Sequence, residues 1–241
     1  MTAFALASTL EREHDLYGAQ DAYRHADELG HPDASFHLGG IFAEQGDLDG
    51  ALVHYRRADE LGHAAGAFNL GVLLERQSDQ VGAEAAYRRA DQRGNELGAF
   101  NLGVLLENRG DLDGAAAAYR RADDRGDAGG AYNLGNMLAD QGDMPGAEHA
   151  FDRADARGHA AAAFNVGGLL VEKGDLAAAE AAYRRGDDRG HAAGAFNLGV
   201  LLEERGDLSG AEAAYRRAEQ RGRSHIAAMA RAALLELGER R

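Results

Sequence analysis

The chain has 241 residues, of which 33 are Gly and only 2 are Pro, with no Cys and no Trp. So little Pro argues against a turn-rich all-β fold, and the lack of Cys removes disulfide frameworks, thiol nucleophiles and cysteine metal sites. Against 26 Lys and Arg stand 40 Asp and Glu, a formal charge of -14, which repels nucleic acid and anionic membrane and favours cationic partners.

The chain opens on MTAFALASTLEREHD. Its short apolar stretch has no basic segment before it and does not read as a secretory signal. No apolar run approaches the ~18 residues that a membrane helix needs, so a soluble cytoplasmic protein is expected. From Phe4 onward the sequence repeats every 32 residues. One ladder runs Phe4, Phe36, Phe68, Phe100, Tyr132, Phe164 and Phe196. A second runs Tyr23, Tyr55, Tyr87, Tyr119, Phe151, Tyr183 and Tyr215, and a third Asp15, Asp47, Asp79, Asp111, Asp143, Asp175 and Asp207. A fixed period of this size marks an array of identical supersecondary units. The ladders predict a single domain over 1–241, with seven repeats over about 1–223 and a closing helix over about 224–239.

The first repeat carries no helix-start signal, and Met1 falls nearly on its first helix. That end is expected to be exposed, open to fraying, to pairing with another copy or to continuation. The second repeat departs from the others at His37, Gly40 and His54. The third shows the common pattern. Its first helix, about Ala65–Arg76, places Ala67, Leu70, Gly71 and Leu74 on one face. Its second, about Gln80–Arg93, carries Ala83, Tyr87 and Ala90 at helical spacing.

The punctuation agrees with this reading. Asp79 and its six equivalents precede the second helix, where a short carboxylate accepts orphan N–H groups. Gly30, Gly62, Gly94, Gly126, Gly158, Gly190 and Gly222 follow it, where a left-handed residue ends a helix. Gly46, Gly110, Gly142, Gly174 and Gly206 are expected to do the same after the first helix. Pro32 and Pro145 fall in first turns, where no intrahelical N–H is lost. Gly39, Gly71, Gly103, Gly135, Gly167 and Gly199 lie inside a helix, at ~1 kcal/mol each relative to Ala. Close approach of the paired helix is the expected compensation, with Ala83 and Ala90 as small counterparts and Tyr87 beside them. The fifth repeat departs at Asn136, Ala139, His149 and Asp152, and the sixth at Gly168, Val171 and the lone Lys173. The last segment, IAAMARAALLELGERR, has one apolar side and a polar one, as the end of an array needs.

Leu70, Gly71, Leu74, Ala83, Tyr87 and Ala90 resemble the tetratricopeptide-repeat pattern of Leu-Gly, a large residue, Ala, an aromatic and Ala. The joint RADELGHAAGAFNLG (Arg57–Gly71) is similar to the A-x-x-G-H-A…NLG joint of the Sel-one-like repeat. The resemblance covers about 220 residues. Ala67 stands where the tetratricopeptide pattern has Trp, with the aromatic moved to Phe68, and each repeat is two residues shorter than that family's period. The resemblance implies an all-α, right-handed solenoid of helical hairpins, and a groove that binds peptides.

A helical wheel locates that groove. With Leu74 at the centre of the core face, Leu70, Ala67 and Gly71 fall within ~60° of it at 100° per residue. On the far side lie Ala65, Phe68, Asn69, Val72, Glu75 and Arg76. The candidate lining is therefore Phe36; Phe68, Asn69, Val72 and Glu75; Phe100, Asn101, Val104 and Glu107; Tyr132, Asn133 and Asn136; Phe164 and Asn165; and Phe196, Asn197, Val200 and Glu203. Large apolar side chains opposite the core are informative, and an Asn amide offers donor and acceptor together. Two readings of the aromatics stand side by side: contact with a ligand, and packing against the next repeat. The acids have the alternative of a plain solvated face.

The paired arginines (Arg56-Arg57, Arg88-Arg89, Arg120-Arg121, Arg184-Arg185, Arg216-Arg217) read as surface residues beside Glu60, Asp124 and Asp188. His31, His63, His159 and His191 recur at the joints. Repeats about 10 Å apart hold them too far apart to share a zinc ion, and Asn95 and Asp127 fill the same slot, which suggests helix starts. No motif supplies a nucleophile with its base, a phosphate loop or a paired-carboxylate site. The expectation is a non-enzymatic adaptor, with no cofactor and no metal, that holds a protein or peptide segment, preferably cationic. It is monomeric or weakly associated end to end. Self-assembly through the ends and capture of a small molecule in the interior are the rival readings.

Overall fold

The computed structural model describes residues 2–239. Among these residues there are fifteen helices and no strand. Helix α1 (Ala3–Arg12) pairs with α2 (Leu16–Glu28), α3 (Pro32–Glu44) with α4 (Leu48–Glu60), α5 (Ala64–Arg76) with α6 (Gln80–Gln92), and α7 (Glu96–Asn108) with α8 (Leu112–Asp124). Then α9 (Ala128–Asp140) pairs with α10 (Met144–Ala156), α11 (Ala160–Glu172) with α12 (Leu176–Asp188), and α13 (Ala192–Glu204) with α14 (Leu208–Arg221). The single helix α15 (Ser224–Glu239) follows. Contacts gather into two bodies, residues 1–125 and 126–241. Within each, a first (A) helix packs on its own second (B) helix and on the neighbouring pairs: α5 on α4 and α7, α13 on α12 and α15. None of the described helices is long and apolar enough to cross a membrane.

The helix ends follow from the residues placed there. Asp15, Asp47, Asp79, Asp111, Asp143, Asp175 and Asp207 each accept the N–H three residues on, at 2.9–3.0 Å. A cap of this kind contributes ~1 kcal/mol. His63, Asn95, Asp127, His159 and His191 do the same for A helices. The imidazoles accept through Nδ1 and so act in their neutral form. Burial pushes the pKa of His63, His159 and His191 down, which favours that form. Thr2 caps α1 by accepting the N–H of Ala5 at 3.2 Å, so the first repeat does have a start signal. The joint glycines adopt positive φ from Gly30 to Gly190. Gly222 does not: with φ -71° it is an extended residue that leads directly into α15.

Close approach accounts for the mid-helix glycines. A Cβ on Gly39, Gly71, Gly103 or Gly199 would stand 2.5–2.6 Å from the ring of Tyr55, Tyr87, Tyr119 or Tyr215. Ala67, Ala83, Tyr87 and Ala90 are fully buried around that contact.

The joints between repeats correct the reading of the arginine pairs. The first Arg of a pair bonds along its own helix, as Arg88 does with Glu84 and Arg184 with Glu180. The second reaches back 30 residues to a buried carboxylate. Arg89 holds Asp59 through Nε at 2.8 Å and Nη2 at 2.6 Å, and Arg93 holds the other oxygen at 2.5 Å. Arg121 and Arg125 grip Asp91, Arg185 and Arg189 grip Asp155, and Arg217 and Arg221 grip Asp187 in the same way. Burial alone would raise the Asp91 and Asp155 carboxyls, but the guanidiniums outweigh it and hold both below the usual range. A planar fork that fits a carboxylate is what Arg supplies and Lys does not.

Candidate functional site

The A-helix face is built on the hydroxyl of the B-helix tyrosine. Tyr87 lies fully buried under Gly71 and donates its hydroxyl to Glu75 Oε2 at 2.8 Å. Tyr23 donates to Glu11 at 2.6 Å, Tyr119 to Glu107 at 2.6 Å and Tyr215 to Glu203 at 2.8 Å. Glu75, Glu107 and Glu203 are thus acceptors for phenols as well as acids of the face. Burial pushes the Tyr55 and Tyr183 phenols up, and a polar amide from the following repeat, Asn69 or Asn197, opposes the rise. Burial, then the carboxylate acceptor, pushes the Tyr23 phenol up to about 12.

The aromatic ladder packs on the tyrosine of its own repeat and, at Phe36, Tyr132 and Phe164, also on a histidine of the next. Phe36 lies 6.0 Å from the ring of Tyr55 in its own repeat and stacks at 4.5 Å on His63 at the next helix start. Tyr132 stacks on His159 at 4.3 Å, and Phe164 packs on His191 at 5.0 Å. Phe68, Phe100 and Phe196 tilt against Tyr87, Tyr119 and Tyr215. Phe164, Phe196 and Val200 join the core around Tyr183, Leu198 and Tyr215, and Tyr132 joins that around Phe151 and Val166. The ladder rings Phe36, Phe68, Phe100, Tyr132, Phe164 and Phe196 are half-buried, as are Val72, Val104, Asn69, Asn101, Asn133, Asn136, Asn165 and Asn197. The wheel places the core residues correctly. It leaves out that A helices also neighbour one another, α5 with α3 and α7, and α13 with α11 and α15, and that Leu73 and Leu105 are buried as well.

Two clefts lie elsewhere, over the Asp–Arg joints. One of about 450 Å³ is lined by Arg56, Asp59, Leu70, Leu74, Arg89 and Arg93. Its counterpart one repeat on, about 370 Å³, is lined by Arg88, Asp91, Leu102, Leu106, Arg121 and Arg125. Sequence reasoning missed these joints, although Asp27, Asp59, Asp91, Asp123, Asp155 and Asp187 recur with the same period as the arginines.

The tetratricopeptide repeat, as a family, matches residues 4–62, 96–131, 132–191 and 185–226. No curated protein matches the chain by sequence. Among solved structures, c5321, a protective antigen of uropathogenic Escherichia coli strains with an SLR fold, is similar over 97% of this chain, at 21% identity and a TM-score of 0.81. The chain spans 56% of that protein's length. A Sel1 repeat protein from Oxalobacter formigenes is similar over 94% of this chain and 74% of its own, at 21% identity and a TM-score of 0.75. YrrB, described as a TPR protein with an unusual peptide-binding site, is similar over 71% of this chain and 93% of its own, at 22% identity and a TM-score of 0.50. At such identities the likeness concerns the fold.

Proposed function

This chain belongs to the tetratricopeptide-repeat family, and from that premise we propose that it is a non-enzymatic adaptor whose A-helix face holds an extended peptide or protein segment. Tetratricopeptide repeats as a family are protein-interaction modules. One observation carries the finer reading: the row of half-exposed Phe, Asn and Val that recurs on α5, α7 and α13. Half-buried rings offer rigid apolar contact at little further entropy cost. Each Asn amide has two donors and an acceptor, which suits the alternating N–H and C=O of an extended main chain. The formal charge of -14 favours a cationic segment, held less tightly as salt rises. YrrB, with its peptide-binding site, shares the architecture.

End-to-end stacking is the weaker reading. In α15, Arg231 takes the position of the mid-helix glycine and pairs with Glu219 at 2.9 Å, so a further tyrosine-bearing helix would meet a charged side chain there. The test is Phe100→Ala combined with Asn101→Ala, titrated against a bound peptide. A loss of affinity of tenfold or more is expected, and unchanged affinity overturns the groove reading.

A further inference from the structure

Of the six repeats that carry the tyrosine, two lack the closure that the other four build over its hydroxyl. In the second, the valine of the face is Gly40 and the glutamate below it is Ala43; in the sixth they are Gly168 and Val171. Here the tyrosines have lost their carboxylate acceptor. A Cβ on Gly40 would lie 3.9 Å from the Tyr55 hydroxyl, and one on Gly168 4.0 Å from that of Tyr183, with no other atom as near. Nothing approaches closely enough to require these two glycines, unlike Gly39 and Gly167 beside them. Tyr55 is 6% exposed and Tyr183 4%, against 0% for Tyr87 and Tyr119.

The fifth repeat shows what happens when such a hydroxyl has no use. It too has lost the glutamate, at Ala139, and there the aromatic is Phe151, without a hydroxyl. Tyr55 and Tyr183 keep theirs. No side chain among the described residues takes the O–H proton of either, as Glu75 takes that of Tyr87, which leaves it to be donated outward over a glycine. An acid stands beside each notch, one residue past the lost position: the exposed Glu44 at the end of α3 and Glu172 at the end of α11.

We propose that these notches are ligand subsites, in which Tyr55 and Tyr183 each donate a hydrogen bond to a main-chain carbonyl of a bound peptide whose lysine or arginine pairs with Glu44 or Glu172. The inference rests on the peptide-binding reading of the A-helix face and names where that face is specific. Each notch acts within its own body of the fold. A glycine in place of valine also makes room for the main chain to come close to the hydroxyl.

The probe is the tightest dodecapeptide enriched from a random display library on the full wild-type chain, titrated by fluorescence anisotropy. Gly40→Val and Gly168→Val restore the side chain that Val72, Val104 and Val200 carry in other repeats, so both variants should fold, with thermal midpoints no lower than wild type. The expected result is a tenfold or greater loss of affinity in at least one of them, and about fivefold from Tyr→Phe at the same notch. Wild-type affinity in the double Gly→Val variant overturns the proposal. If Phe100→Ala with Asn101→Ala still abolishes binding, the groove reading survives without the notches. Failure of the library to enrich any peptide overturns both.

Discussion

The first buried carboxylate of the array and the later ones are held by different means. Asp59, Asp91, Asp155 and Asp187 each take two guanidiniums from the next repeat. Asp27 takes one, Arg57 Nε at 2.7 Å, because Leu61 stands where the second arginine would be. Its other partners are the Ser35 hydroxyl and His54, whose Nδ1 lies 3.4 Å from Oδ2 and is buried without an aligned hydrogen bond. Ser35 and His54 replace alanines of the other repeats, at Ala67 and Ala86. The same structural demand, a charge that must not be buried alone, is thus met at four joints by two permanent cations and at Asp27 by one cation, a hydroxyl and a titratable ring.

The largest way to break this comparison is to delete the carboxylates. Asp91→Ala leaves Arg121 and Arg125 without their shared partner. Loss of one member of a fully buried pair costs about 3–5 kcal/mol; the arginines reach solvent, which reduces this to about 2–3 kcal/mol. Asp27→Ala strands only one arginine and is expected to cost about half as much. Urea midpoints of the two variants decide, and equal losses would show that the second arginine is idle.

A smaller effect distinguishes the joints by pH. Burial lowers the His54 pKa, against the pull of Asp27, and burial lowers those of His63, His159 and His191. A histidine whose folded pKa is depressed takes up its proton more readily when unfolded. Stability is therefore expected to be whole above the unfolded value of about 6.5 and to fall as the pH drops below it. His54→Ala should flatten part of that slope between pH 7.5 and 5.5 in thermal melts; an unaltered slope would remove His54 from the account. The smallest change sharpens the comparison from the other side. Leu61→Arg supplies the missing second fork and is expected to add about 0.5 kcal/mol, the worth of a largely exposed pair, visible as a modest rise in urea midpoint.

Much of the candidate site was legible in the residues. The ladders identified which face repeats, and the wheel separated Leu70 and Leu74 from Phe68 and Asn69. The fate of Glu75 was not legible, because its partner Tyr87 is 12 residues away on another helix. Nor was that of Arg89. Its neighbours on the same helix looked sufficient, while its carboxylate comes from 30 residues back. The exceptions at Gly40 and Gly168 could be seen as differences between repeats, but their meaning depends on a hydroxyl that lies beneath them.

By itself the sequence determined the helices, their ends and their pairing. Asp79 caps, the glycine after each helix and the spacing of Ala83, Tyr87 and Ala90 act within a few residues, where backbone geometry allows few alternatives. Only the tertiary structure decided which charges meet and how far the aromatic ladder is covered. Those outcomes belong to side chains from successive repeats, and stacking, not local periodicity, sets the distance between them.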